Sequence, residues 1–285
     1  MTGRQVVLVT GCSSGIGLAT AAAACRAGWE VVATVRDPGR AGALRAAAPG
    51  ARVRRLDVTD EESVAECFAG VERLDALVNN AGISNFDPTL EMSTAQALRA
   101  NLEVNFFGTV AVSRAAMPLL RASGGRLLTI GSVHGVIGQP FNEAYCAAKF
   151  AVEGFMESLA PVAAAHGVRV SVLVPGYVPD TRFGIFPDVN RRTVQAASGP
   201  YAETFAAYGE RIGAHWAGAG QPAAEVAEAV LRALAEERPP FRIPTGAWAA
   251  AYLDAKLADR DGGTVQRLAR DWIGHTPADT PAHTP

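Results

Sequence analysis

Val6-Val7-Leu8-Val9-Thr10-Gly11-Cys12-Ser13-Ser14-Gly15-Ile16-Gly17 is the stretch on which the fold turns. Four consecutive apolar residues read as a buried strand, and the Ala-rich run at 18–26 reads as a helix. Between them the glycines are spaced G-x-x-x-G-x-G. Such a loop permits a tight turn and brings a pyrophosphate against backbone N–H groups at a helix N-terminus. Taken alone, such a loop is a weak signal that a strand-to-helix turn needing flexible residues would also give, so the flanking chain has to decide.

Outward from that loop, the same alternation continues. Short β-branched or Leu-rich runs fall at 6–9, 30–34, 52–56, 76–78, 126–130 and 169–174, separated by longer segments such as 18–26 and 63–70 that suit helices. Continuous apolar strands are those buried on both faces. Their alternation with helices predicts an α/β fold, a doubly wound parallel sheet with right-handed crossovers and helices on both faces. There is no internal repeat. The expected organisation is a single domain over 1–274, with a substrate lid at about 180–220 where the pattern turns irregular. A disordered tail is expected over 275–285, which is poor in packable side chains.

Composition narrows the function. The 285 residues are 49% hydrophobic with a formal charge of -2, and no Lys/Arg run appears, so nucleic acid and polybasic membrane binding lack electrostatic support. Cys12, Cys25, Cys67 and Cys146 form no C-x-x-C pair, and the histidines show no ligand spacing. Reduced thiols and no metal site are expected. With neither a signal peptide nor a bilayer-length apolar stretch, the reading is a cytoplasmic protein without a membrane partner.

The second strand runs into Thr34-Val35-Arg36-Asp37-Pro38. Arg36 would attract a 2′-phosphate and favours NADP(H). Asp37 is the rival, since a carboxylate there would hold a ribose 2′-OH and favour NAD(H), but before Pro38 it can also simply start a turn. Asp57, at the end of the third strand, is placed to reach an adenine amine or to cap the next helix or turn. In Asn79-Asn80-Ala81-Gly82, two amides can tie strands together beside a cofactor, or form an ordinary Asn/Gly turn. Ser132 comes just after another strand. Thirteen residues on, Tyr145 and Lys149 are an i,i+4 pair on one helix face. A fixed ammonium beside a phenol stabilises the phenolate and brings tyrosine towards useful acid/base chemistry. A serine hydroxyl can orient the same substrate oxygen. Most isolated Tyr-x-x-x-Lys pairs are plain helix surface; the upstream serine and the glycine loop point elsewhere.

Together, Thr10-Gly11-x-x-x-Gly15-x-Gly17, Asn79-Asn80-Ala81-Gly82, Ser132, Tyr145-x-x-x-Lys149 and Pro175-Gly176 resemble the short-chain dehydrogenase/reductase family. Ser132-Val133, Pro140-Phe141-Asn142-Glu143-x-Tyr145-Cys146 and Pro222-Ala223-Ala224-Glu225-Val226 are more similar to its 17β-hydroxysteroid and retinol dehydrogenase branch, so the resemblance covers roughly residues 5 to 274. It implies a Rossmann-like fold and a catalytic tetrad of Asn105, Ser132, Tyr145 and Lys149, with Asn105 holding a water in the proton relay and Lys149 also meeting the nicotinamide ribose. It implies that Ser13 joins Arg36 at the 2′-phosphate, and that the dinucleotide further meets Gly11, Ser14, Gly15, Ile16, Gly17, Asp57, Val58, Asn80, Ala81, Gly82, Tyr145, Pro175, Gly176 and Val178. The family often carries a threonine five positions after the Pro of Pro-Gly; Asp180 stands there and Thr181 one further. Pro161 should kink the helix after Lys149. In this family that helix commonly builds an interface, so a homodimer or homotetramer is expected.

The resulting expectation is reversible hydride transfer between NADP(H), or less favourably NAD(H), and a bulky hydrophobic ketone or secondary alcohol, whether steroid-like, retinoid-like, or a polyketide or aryl ketone. The alternative is a non-catalytic NADP(H)-binding sensor or scaffold. Candidate substrate contacts are His134, Asn142, Phe183 and Phe186. Tyr201, Phe205 and Tyr208 fall at helical spacing, which suits either ligand contact or one packed helix face.

Overall fold

Alternation along the strands divides the core. In β1 (Val6–Val9), Val6 and Leu8 face one apolar layer while Val7 and Val9 face the other. The computed structural model describes residues 4–84, 87–181, 188–216, 218, 220–258 and 271. β1 pairs in parallel with β2 (Glu30–Val35) on one side and, across the chain reversal, with β4 (Ala76–Asn79) on the other. Adding β3 (Arg52–Arg55), β5 (Arg126–Ile130), β6 (Arg169–Val174) and β7 (Arg242–Pro244) gives one parallel sheet ordered β3-β2-β1-β4-β5-β6-β7. The order reverses between β1 and β4, and in open α/β sheets a crevice forms at the carboxyl ends of the strands at that point.

Helices cover both faces. α1 (Gly15–Arg26), α2 (Gly42–Ala47) and, late in the chain, α9 (Ala223–Ala235) bury Ala21, Leu44 and Val230 in one layer. α3 (Glu61–Phe68), α5 (Gly108–Ser123) and α6 (Glu143–Ala164) bury Val64, Leu120 and Met156 in the other. Asp60 caps α3 by accepting from the Glu62 and Ser63 amides. α4 (Ala95–Leu102) runs into α5 through a π-helical turn at Glu103–Phe107, which contains Asn105. Among the described residues, no helix is long and apolar enough to cross a membrane.

The doubly wound parallel sheet is as expected, with three local departures. β3 is an edge strand carrying Arg52, Arg54 and Arg55, and is not buried on both faces. β7 has no counterpart among the predicted strands, because three residues ending in proline carry almost no pattern; at a sheet edge that proline is tolerated. The stretch read as irregular contains α7 (Asp188–Ala197) and α8 (Ala202–Trp216). Gly199 and Pro200 there mark a helix start, where proline's fixed φ fits. Pro161, expected to kink this helix, sits in the last turn of α6, and Ala165 donates to its carbonyl at 3.3 Å. Phe183, Phe186 and the 275–285 tail lie outside the described residues.

The helical spacing of Tyr201, Phe205 and Tyr208 resolves as packing. Phe205 and Tyr208 are fully buried, with ring centroids 5.1 Å and 5.5 Å from Phe141, and Tyr201 donates its hydroxyl to Glu91 Oε2 at 2.6 Å. Phe205→Ala should therefore cost about 3–5 kcal/mol of stability, the range for emptying a buried phenylalanine site. Denaturant unfolding measures it; a loss under about 1 kcal/mol would mean that α8 does not pack as described.

Candidate active site

The crevice at the sheet reversal is held together by polar contacts from both sides. Thr10 Oγ1 accepts from the Asn80 and Ala81 amides at 2.8 and 2.9 Å, while the Asn80 carboxamide donates to the Thr10 and Gly11 carbonyls at 2.8 and 3.2 Å. Asn79 reaches the other way, to Ser113 Oγ at 2.8 Å and Thr129 Oγ1 at 3.5 Å, joining β4 to α5 and β5. Both asparagines are thus structural ties, and Asn80 also lines the cleft. A Cβ on Gly17 would press into Asn80 Nδ2 and stand 2.5 Å from the Gly11 carbonyl oxygen. Gly17 therefore serves the closeness of helix and loop and does not itself line the cleft.

In front of this clasp lies a cleft lined by Gly11, Ser13, Ser14, Gly15, Ile16, Arg36, Asp57, Val58, Asn80, Ala81, Gly82 and Thr181, among others. Ser14 stands at the N-cap of α1 without making a side-chain cap, and no acidic residue occupies the first turn. Uncapped amides and a positive helix end suit an anion such as a pyrophosphate. Arg36 lines the far part of the cleft. Asp37 instead turns into the next bend, accepting from the Gly39 amide at 2.9 Å. Asp57 combines both of its readings: it lines the cleft and also accepts from the Thr59 amide and hydroxyl at 3.1 and 2.8 Å. Partial burial pushes its carboxyl up, but the Thr59 hydrogen bonds and the Arg36 and Arg55 charges prevail and hold it below its ordinary value. The donor set, the uncapped helix and the glycine cradle fit a dinucleotide.

A second, smaller cavity adjoins the first. Ile16, Asn80, Ser84 and Thr181 line both. This one contains Ser132, Tyr145, Lys149, Pro175, Gly176 and Val178, together with His134 and Asn142. Ser132 follows β5 by two residues in extended backbone, its Oγ accepting from the His134 amide at 3.1 Å, and it hydrogen-bonds Tyr145. Lys149 Nζ donates to the Ile130 carbonyl at 2.9 Å and lies 5.7 Å from the centre of the Tyr145 ring. Burial lowers the Lys149 ammonium to about 8. The expectation of a lowered tyrosine is not met in this geometry: burial pushes the Tyr145 phenol above its ordinary value, the Ser132 hydrogen bond opposes that, and the lysine charge is directed at Ile130.

Asn105 lines neither cavity. Its carboxamide accepts from the Ile83 amide at 3.1 Å and donates to the Ile83 carbonyl at 2.9 Å, clamping the π-helical turn to the segment after β4. Thr181 is buried, with Oγ1 donating to the Val178 carbonyl at 2.8 Å. Asp180 faces away and accepts from the Ala223 amide, at the start of α9. The sequence reading missed Gln139, Tyr177 and Trp248 in the second cavity. Trp248 belongs to α10 (Ala247–Ala258), about 70 residues beyond the Pro-Gly turn, and nothing local signals that it returns there.

A parallel sheet with an anion-ready crevice leading to a serine, a tyrosine and a lysine defines a dinucleotide-dependent oxidoreductase. Residues 5–185 match the family model described as short chain dehydrogenase. Human 17-beta-hydroxysteroid dehydrogenase type 1 is 37% identical over 96% of this chain and 88% of its own length, and retinol dehydrogenase 8 of Bos taurus is 33% identical over 93% and 89%. A short-chain dehydrogenase from Streptomyces avermitilis superposes with a TM-score of 0.74 at 30% identity, covering 95% of this chain and 99% of that one. One from Burkholderia cenocepacia J2315, solved in complex with NADP, gives 0.73 at 26%, covering 96% and 98%. The chain belongs to the short-chain dehydrogenase family, oxidoreductases acting on CH–OH or C=O groups.

The Lys149 environment has a measurable consequence. Between about pH 8 and 10.5 the unfolded chain holds a proton at Lys149 that the folded chain has released. Wild type should therefore gain stability relative to Lys149→Met as pH rises through that window, with no change in the difference below it. Paired denaturation curves at several pH values test this; a difference flat throughout would show that Lys149 is not desolvated.

Proposed function

We propose that this protein is an NADP(H)-dependent carbonyl reductase and alcohol dehydrogenase for a bulky, largely apolar ketone or secondary alcohol. The observation that carries the reading is the continuity of the two cavities, with Arg36 at one end and Ser132, Tyr145 and Lys149 at the other. Arg36 would meet the 2′-phosphate together with Ser13, and the turning-away of Asp37 removes the carboxylate that would repel it. The α1 N-terminus would hold the pyrophosphate, and Asp57 and Val58 would border the adenine. Thr181, buried at the junction of the cavities, is the better-placed residue for the nicotinamide amide, and Asp180 is committed to α9. Similarity to a steroid and a retinol dehydrogenase across most of their length supports a substrate of that kind.

When bound, the cofactor supplies or accepts the hydride. Everything else falls to this chain. Ser132 would orient the carbonyl oxygen, and Tyr145 would give it a proton in reduction or take one in oxidation. Lys149, with its value brought near 8, exchanges protons close to working pH and would resupply the phenol. For that, its ammonium has to leave Ile130 for the tyrosine. Asn105 would position the wall around this relay. We further propose one domain over 1–274 and a homo-oligomer, an assembly supported by the exposed Phe150, Phe155 and Val162 on α6.

Arg36→Ala should weaken NADPH binding at least tenfold more than NADH binding, a difference of about 1.4 kcal/mol; equal losses in fluorescence titrations would remove the cofactor assignment. Tyr145→Phe should lower ketone turnover by a factor of about 10² or more while NADPH still binds. Retained turnover would remove the acid/base role, and a wild type that binds NADPH but reduces no ketone in a broad panel would favour a sensor.

A further inference from the structure

Resting on the dinucleotide reading of the cleft, we propose that Asp180 is a positioning residue that slows cofactor release. By capping α9 it holds Thr181 closed across the junction of the two cavities. Thr181 lines both of them and is 6% exposed, so whatever occupies both lies beside it. Its methyl group sits against the glycine loop: a Cβ on Gly15 would stand 3.0 Å from Thr181 Cγ2. Gly15 is the first residue of α1 and itself lines the cleft.

The contacts around Thr181 form a closed circuit. Thr181 ends a turn in which its amide and its hydroxyl both donate to the Val178 carbonyl, at 3.2 and 2.8 Å. On the outside of that turn, Asp180 accepts the Ala223 amide on both carboxylate oxygens, at 2.9 and 3.1 Å. Ala223 is the first residue of α9, and the local N-cap position is taken by Pro222, whose side chain makes no cap. The acceptor for that amide therefore comes from 43 residues earlier in the chain. α9 is in turn fixed to α1, because Val178, Ala223 and Val226 form a small apolar cluster against Ile16 and Ala19. From α1 the circuit returns through Gly15 to Thr181. One step back along the loop, the Gln221 amide donates to the Tyr177 carbonyl at 2.9 Å, so Asp180 is the tie nearest to Thr181.

Asp180 is exposed and lines neither cavity, so any effect it has on the cofactor passes through its neighbour. A carboxylate at a helix N-terminus is held by the helix dipole as well as by its hydrogen bonds, which makes this the strongest single link in the circuit. With the link cut, the turn keeps its bonds to Val178 but loses its charged attachment to α9. Thr181 is then free to swing off Gly15 and open the junction.

The test is the dissociation rate of whichever of NADPH and NADH binds, followed as loss of nicotinamide fluorescence on chasing with an excess of the oxidised cofactor. Asp180→Ala should release it about fivefold faster, the rate equivalent of one lost helix cap. Asp180→Asn keeps an acceptor for the Ala223 amide and should stay within about twofold of wild type. Added to Thr181→Ala, the Asp180→Ala change should speed release by less than about twofold, because the residue it acts through is gone. Thermal unfolding of each variant runs alongside. A lowered melting temperature without faster release would mean that the cap serves α9 alone. That result, or an equal acceleration with and without Thr181, overturns this inference and leaves the dinucleotide reading standing. Binding of neither NADPH nor NADH by wild type overturns both.

Discussion

Thr10 and Asn80 hold the two halves of the molecule at one point, the ends of β1 and β4 where the sheet reverses direction. The threonine hydroxyl accepts two amides from the second half, and the asparagine carboxamide covers two carbonyls of the first. These contacts do at the strand ends what ladder hydrogen bonds do along the strands, and without them the crevice would present unpaired backbone groups to whatever binds there. Their closeness leaves no room for a Cβ at Gly17 and sets the α1 N-terminus against the cleft. Cofactor geometry and sheet geometry are therefore one constraint.

The reacting end is assembled on a different principle. Ser132, Tyr145, Lys149, His134 and Asn142 share a cavity, and burial moves each titratable group towards its neutral form: the tyrosine up, the lysine and histidine down. For the lysine, which the unfolded chain keeps protonated up to about pH 10.5, the shift means stability lost at neutral pH; the tyrosine and histidine are largely neutral there in both states. What opposes the loss is local bracing. Ile130 takes the lysine, Ser132 is fixed by the His134 amide, and Gln139 and Tyr208 hold Asn142. Functional sites commonly violate local rules that the rest of the chain obeys, and this cavity does so at Phe141, with a φ of 58°, and at Asn142, an N-cap residue that makes no cap.

The sequence made legible what is local. A glycine loop between strand and helix, and a tyrosine and lysine one helical turn apart, depend on neighbours within a few residues, so their spacing survives in the one-dimensional text. Arg36 against Asp37 was undecided there because two adjacent side chains leave a strand on opposite faces, and which face meets the cleft depends on register. Gln139 was invisible because its partner Tyr208 is 69 residues away. α7 and α8 were read as irregular because glycine and proline look alike whether they break a helix or begin one. β7 is too short to carry any period.

The final third of the chain sets the loop after β6. Asp180 accepts the Ala223 amide and so ties that loop to the start of α9. Gly176 lies directly under the Trp248 ring, where a side chain would collide. Anchored at both points, the backbone turns Thr181 inward to the junction of the two cavities and Asp180 outward. A one-residue offset from the family's usual threonine spacing is thereby absorbed: the acid at the expected position has become a helix cap, and the hydroxyl after it takes the inward place. Position in a motif counts for less than which neighbour claims each side chain, and in this loop the claimant is a helix more than forty residues downstream.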